Sequence, residues 1–153
     1  MTAAPPAEGN TAMSARETAD GFLDGLARRD VALATAEVAG DVAVAIYPLG
    51  VAGSGRALLD DCLRELFTAF PDLLVTVKKT VVTGAFVTAE VKLEGTQAAG
   101  FAGIVNQEKH IDVDAAWRLR ILDGVITEVD GFWCQQQVYR RLGVKRLDQL
   151  AIV

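Results

Sequence analysis

The chain has 153 residues, 51% of them hydrophobic, and a formal net charge of −5. That length fits one domain with enough chain to bury a core, while the acidic balance excludes the basic patch that nucleic acid rewards. No window approaches the roughly 18 unbroken apolar residues of a membrane span, and one histidine with two cysteines, Cys62 and Cys134, supplies neither a zinc site nor a disulfide framework.

The opening residues, MTAAPPAEGNTAM, lack the basic and apolar regions of a secretory signal and are expected to form a disordered leader over residues 1–13 of a cytoplasmic protein. Ser14-Ala15-Arg16-Glu17 then spells a capping box: the Ser hydroxyl accepts from a free backbone N–H, and Glu reaches back to another. Ala15, Ala19, Phe22, Leu23 and Leu26 follow at helical spacing, with Arg28 and Arg29 where cations favour the helix dipole. A second short helix is expected from Val31 to Val38, stopped at Gly40, and a strand from Asp41 to Tyr47, stopped by Pro48 and a glycine-rich loop from Gly50 to Gly55.

Arg56 to Phe70 carries one continuous apolar stripe (Leu58, Leu59, Cys62, Leu63, Leu66, Phe67, Phe70) and ends at Pro71, which makes it the clearest helix of the chain. Beyond it the period falls from 3.6 to 2. Leu73, Val75 and Val77 alternate with Thr76 and Lys78; after Thr83-Gly84, Val87, Ala89, Val91 and Leu93 alternate with Thr88, Glu90, Lys92 and Glu94. Gly95 to Gln107 is a long aperiodic loop, of the kind that often carries function. Two further alternating runs, to Ile121 and from Val125 to Trp133, flank Asp123-Gly124, a strong hairpin signal because the turn needs positive φ. A closing helix from Gln136 to Leu142 stops at Gly143, and residues 144–153 form a tail.

Helices ahead of consecutive strands predict an α+β domain over 14–143, with N-terminal helices packed on a curved antiparallel sheet. Strand parity sorts its faces. Val113, Ala115, Trp117, Val129, Gly131 and Trp133 point one way; His110, Asp112, Asp114, Arg118, Arg120, Glu128, Asp130, Glu90, Lys92 and Glu94 point the other. Burying the charged set would cost several kcal/mol per unpaired charge, so the apolar set faces the helices. A pocket there is hydrophobic and aromatic and suits a flat ligand.

Three stretches carry a family resemblance: Phe70-Pro71-Asp72-Leu73, the loop GTQAAGFAG from Gly95 to Gly103, and DGVITEVDGFWCQQQVYRRLG from Asp123 to Gly143. Together with the element order they resemble the SnoaL-like polyketide cyclases of the nuclear-transport-factor-2-like superfamily. The family often has a GTHxGxFxG-type loop and a DGKIxEHW…D…LxRQLG ending. The resemblance covers most of the chain after residue 14. It implies an NTF2-like (cystatin-like) cone, a homodimer, and a step on an aromatic polyketide without a cofactor: cyclisation, isomerisation, dehydration or a hydroxylation-type reaction. The superfamily also contains non-catalytic binding and dimerisation modules, so fold alone does not name the reaction. The positions that hold an acid or histidine in catalytic members fall here on Trp117 and Gly131, neither of which transfers a proton.

The candidate catalytic group is therefore Tyr47, a phenol able to donate to a carbonyl or enolate oxygen, or else a core tyrosine. The candidate substrate contacts are Phe22, Trp117, Val129, Gly131, Trp133 and Gln135: the tryptophans for stacking, Gln135 as an amide at the pocket mouth, and Gly131 for room. Phe22 also reads as ordinary core on its helix stripe. His110 with Asp112 or Asp114 reads as a surface charge network, and Asn106 and Gln107 as surface or lid residues. No metal set and no cofactor motif stand out.

Overall fold

The computed structural model describes residues 13–144, so most of the expected leader and tail lies outside the described residues. Four helices, α1 (Ala15–Arg28), α2 (Val31–Ala34), α3 (Arg56–Ala69) and α4 (Gln135–Arg141), accompany six strands, β1 (Val38–Ile46), β2 (Val51–Ser54), β3 (Leu74–Thr83), β4 (Phe86–Thr96), β5 (His110–Leu122) and β6 (Val125–Trp133). The strands form one open sheet in the order β2-β1-β6-β5-β4-β3. All ladders are antiparallel except β1 on β6, which is parallel. The sheet is thus mixed where the sequence suggested antiparallel pairing throughout. Register shifts in β1, β3 and β6 bend it around the helices.

The capping box forms as expected: Ser14 Oγ accepts from Glu17 N at 3.1 Å, and Glu17 Oε1 accepts from Ser14 N at 3.1 Å. Asp123 and Gly124 both adopt positive φ, 51° and 75°, so β5 and β6 reverse in a tight hairpin. Thr18 donates from its buried hydroxyl to Gly124 O at 3.1 Å, tying α1 to that turn.

Two expected boundaries are corrected. The second helix ends at Ala34, and Val38 opens β1, because Val38 is buried and pairs with Ile126 of β6. The glycine-rich loop contains β2, which pairs Val51 to Ser54 with Ile46 to Ala43. Both segments carry helix-neutral or loop-like residues that only a neighbouring strand converts into β structure.

The face assignment from strand parity holds. Along β5, Ile111, Val113, Ala115, Trp117, Leu119 and Ile121 are all buried. The opposite face carries cross-strand ion pairs: Lys92–Asp112 at 3.1 Å, Arg118–Asp130 at 2.7 Å and Arg120–Glu128 at 3.5 Å. His110 lies there too, exposed, with Nδ1 3.3 Å from Thr96 Oγ1. Among the described residues, no helix is long and apolar enough to cross a membrane.

Candidate active site in the apolar cone

The inner wall is built from β5 and β6 held in register, with Trp117 opposite Gly131 and Ala115 opposite Trp133. A Cβ on Gly131 would come within 3.1 Å of both Ile46 Cδ1 and Trp117 Cζ3. The room expected at this glycine is therefore filled by the protein's own indole. Phe22 reaches from α1 and meets that indole edge-on, with ring centroids 5.5 Å apart at 67°. Phe22, Val129 and Gly131 are buried and line none of the cavities described next.

A cleft of about 410 Å³ opens at the end of the cone. Its sides are the Pro48-Leu49 turn and Val51, the loop tip at Ala102 and Gly103, and two helices. From α3 come Asp61, Cys62 and Glu65; from α4 come Gln135 and Tyr139. Each helix delivers its polar pair through i, i+4 spacing. Leu49 and Cys62 also line a small inner cavity of about 20 Å³, walled by Ile46, Trp117 and Trp133. A second inner cavity of about 20 Å³ lies against Leu93, Ile111, Val113 and Val138. Leu66, Phe101 and Trp133 bound both and separate them.

Phe101 is held there by the long loop, which is well anchored. Gln97 is buried, donates from Nε2 to Ile104 O at 3.1 Å and accepts from Gln107 N at 3.3 Å. Ala98 N donates to Ala69 O at 2.7 Å, and Gln107 Nε2 to Leu142 O at 3.1 Å. Glu65 Oε2 accepts from Ala102 N at 3.1 Å, fastening the loop tip to α3 at the cleft. Phe101 packs edge-on against Phe70, with centroids 5.4 Å apart.

The polar groups of the cone are few. Trp133 donates from Nε1 to Gln135 Oε1 at 2.8 Å. Trp117 Nε1 is buried and has no hydrogen-bond partner. Burial, and then the Glu65 and Asp61 carboxylates, push the Cys62 thiol above its ordinary pKa. Among the described residues, no group of three or more His, Cys, Asp or Glu could hold a metal ion.

Tyr47 is not brought to this cavity. It starts the short 3-10 turn after β1, is 57% exposed, and lies flat on Phe132 with centroids 4.8 Å apart at 13°. Phe132 points out of the cone with Arg118, whose guanidinium sits 5.5 Å from its ring centre. Ile46 takes the inward position, so strand parity sends its neighbour outward. Of the expected contacts, Trp117, Trp133 and Gln135 line the cavities. Asp61, Glu65, Phe101 and Tyr139 were not legible as site residues. The available signal was spacing: Asp61 and Glu65 lie one helical turn apart beside Cys62 at the exposed rim of α3, and Tyr139 follows Gln135 by one helical turn.

A family model described as SnoaL-like polyketide cyclase matches residues 16–142. No curated protein matches the sequence significantly. Among solved structures, a candidate SnoaL-like polyketide cyclase from Jannaschia sp. CCS1 superposes with a TM-score of 0.79 at 19% identity, covering 95% of this chain and 100% of that one. AclR, a candidate hydroxylase from Streptomyces galilaeus, gives 0.73 at 18% identity over 84% of each chain. A protein from Catenulispora acidiphila with a ketosteroid isomerase-like fold, in complex with trimethylamine, gives 0.70 at 18% identity, covering 83% of this chain and 92% of that one. At these identities the likeness shows the fold.

Proposed function

This chain belongs to the SnoaL-like polyketide cyclase family, and from that premise we propose that it is an enzyme acting on a flat, hydrophobic polyketide-type substrate seated in the cleft at the end of the cone. One observation carries this: a cleft lined by Asp61, Glu65, Gln135 and Tyr139 adjoins an aromatic-lined interior, with Leu49 and Cys62 lining both. Apolar walls with a few polar groups at one end bind a ring system and orient it. A carboxylate there removes a proton from a carbon next to a substrate carbonyl, and the electron pair moves onto the carbonyl oxygen as an enolate. Ring closure, double-bond migration or loss of water proceeds from that enolate. A hydroxylation-type step would instead use dioxygen, with the substrate as its own reductant.

Purified protein incubated aerobically with tricyclic and tetracyclic polyketide intermediates, followed by liquid chromatography and mass spectrometry, tests this. A protein-dependent product supports the enzyme. An unchanged mass identifies double-bond migration or ring closure without loss of water, loss of water identifies dehydration or closure with dehydration, and added oxygen identifies hydroxylation. Tight binding without any product instead supports a non-catalytic binding module. That second reading is favoured by the deep wall, where Trp117 and Gly131 present no acid or base.

The proposal extends to a homodimer formed through the outer face of the sheet. Tyr47, Phe86 and Phe132 surround the Arg118–Asp130 pair there, an aromatic patch with a charged centre. Sedimentation of the wild-type chain and of Phe132→Glu checks it, and a wild-type monomer would rule it out.

A further inference from the structure

The two indoles of the cone differ in one respect. Trp133 has its N–H satisfied by Gln135, whereas Trp117 is 3% exposed and its Nε1 has no partner. A buried donor left unpaired forfeits the bonds it made to water, so native structures rarely leave one without a reason. Indole nitrogen only donates, so the missing partner is an acceptor. The small cavity beside Trp117 has room for about one water, but apart from the weak thiol of Cys62 its lining of Ile46, Leu49, Leu59, Leu63, Leu66 and Phe101 offers that water no second side-chain partner. The ring is also held in place, by Phe22 edge-on, by Ile46, and by the close approach that Gly131 permits.

We propose that Trp117 Nε1–H is the donor that receives a carbonyl or phenolate oxygen of the substrate at the deep end of the cone, which rests on the substrate class inferred above. Leu49 and Cys62 line both the cleft and the inner cavity. An oxygen projecting from a ring seated in the cleft passes between them and reaches the indole. Trp117 is then a substrate-orienting residue. It turns the oxygenated edge inward, leaves the opposite edge beside Asp61 and Glu65, and stabilises charge that develops on that oxygen.

The test compares 9,10-anthraquinone with anthracene, which share a ring frame and differ in carbonyl oxygens. The sequence holds two tryptophans, so a 15N-labelled chain gives two indole N–H signals, assignable with Trp117→Phe. Anthraquinone is expected to move the Trp117 signal downfield and anthracene to leave its hydrogen-bond state unchanged. The wild-type chain is expected to prefer the quinone by about tenfold, as one net hydrogen bond allows. Trp117→Phe, and Trp117 replaced by the N–H-free isostere 3-benzothienylalanine, are expected to lose the preference for the quinone over anthracene. The isostere keeps the shape if the Phe variant folds poorly. Equal wild-type affinity for the two ligands, or a preference that survives in the isostere, overturns the role of Trp117 alone. Failure of the folded wild-type chain to bind either ligand overturns the substrate class, and the role of Trp117 with it.

Discussion

Gln135 accepts the indole proton of Trp133 at 2.8 Å, across the junction where β6 ends and α4 begins. The bond fixes the orientation of the ring that bounds both inner cavities, and Gln135 itself lines the cleft. Gln135→Leu strands the indole proton and is expected to cost about 1 kcal/mol, a few degrees in Tm for a domain of this size. Gln135→Glu keeps the acceptor and should melt near the wild type. Differential scanning calorimetry of both variants decides the point; a stable Leu variant would show that the bond only decorates the surface.

Catalysis is expected to follow the cleft acids and not the sheet-end phenol. Glu65→Gln keeps an oxygen for the Ala102 N–H and so preserves the loop anchor while removing the base. Turnover by this variant or by Asp61→Asn should fall by about 10²-fold or more, as losing a general base does. Tyr47→Phe should stay within about twofold of the wild type, since Tyr47 stacks on Phe132 outside the cone. Steady-state kinetics on the substrate identified by mass spectrometry measures all three, and a collapse of turnover in Tyr47→Phe would return the catalytic role to that residue.

The two thiols should separate by pH. Cys134 is exposed, whereas burial first, and the Glu65 and Asp61 carboxylates next, raise the Cys62 pKa. A raised thiol pKa moves the onset of thiolate, the reactive form, to higher pH. Iodoacetamide at neutral pH should therefore label Cys134 first, and Cys62 only as pH climbs beyond the usual thiol range. A ligand filling the cleft should slow Cys62 further. Peptide mapping after timed quenching reads both rates, and faster labelling of Cys62 at neutral pH contradicts this account of its surroundings.

Phe101 sets the usable volume of the cone. Two cavities of about 20 Å³ each are too small for a ring, and Phe101 stands between them. Phe101→Ala should cost about 3 kcal/mol of stability, from lost burial plus the void it leaves. It should also tighten binding of tetracyclic over tricyclic ligands by joining the two spaces. Urea melts and ligand titrations check the two effects. Lost stability with no change in ligand size preference would mark Phe101 as core alone.

The alternation of β4, β5 and β6, the Asp123-Gly124 turn, the capping box at Ser14 and the stripe of α3 were all legible in the chain, because each is a local regularity set by backbone geometry. The same regularity told which sheet face is buried, since the alternative would strand the charges that instead pair as Lys92–Asp112 and Arg118–Asp130. What lies beside Trp117 was not legible. Whether Gly131 makes room for a ligand or for an indole depends on a contact between two strands, and the strands run through positions that look alike in either case. Tyr47 faces outward because Ile46, the last residue of β1, takes the inward position and successive strand residues alternate. Val38 and β2 became strands only because β6 and β1 offered unpaired backbone beside them. Periodicity along the chain thus determined which residues are inside, whereas packing between elements far apart in sequence decided which of the inside residues meet, and which one, Trp117, was left with a proton to give.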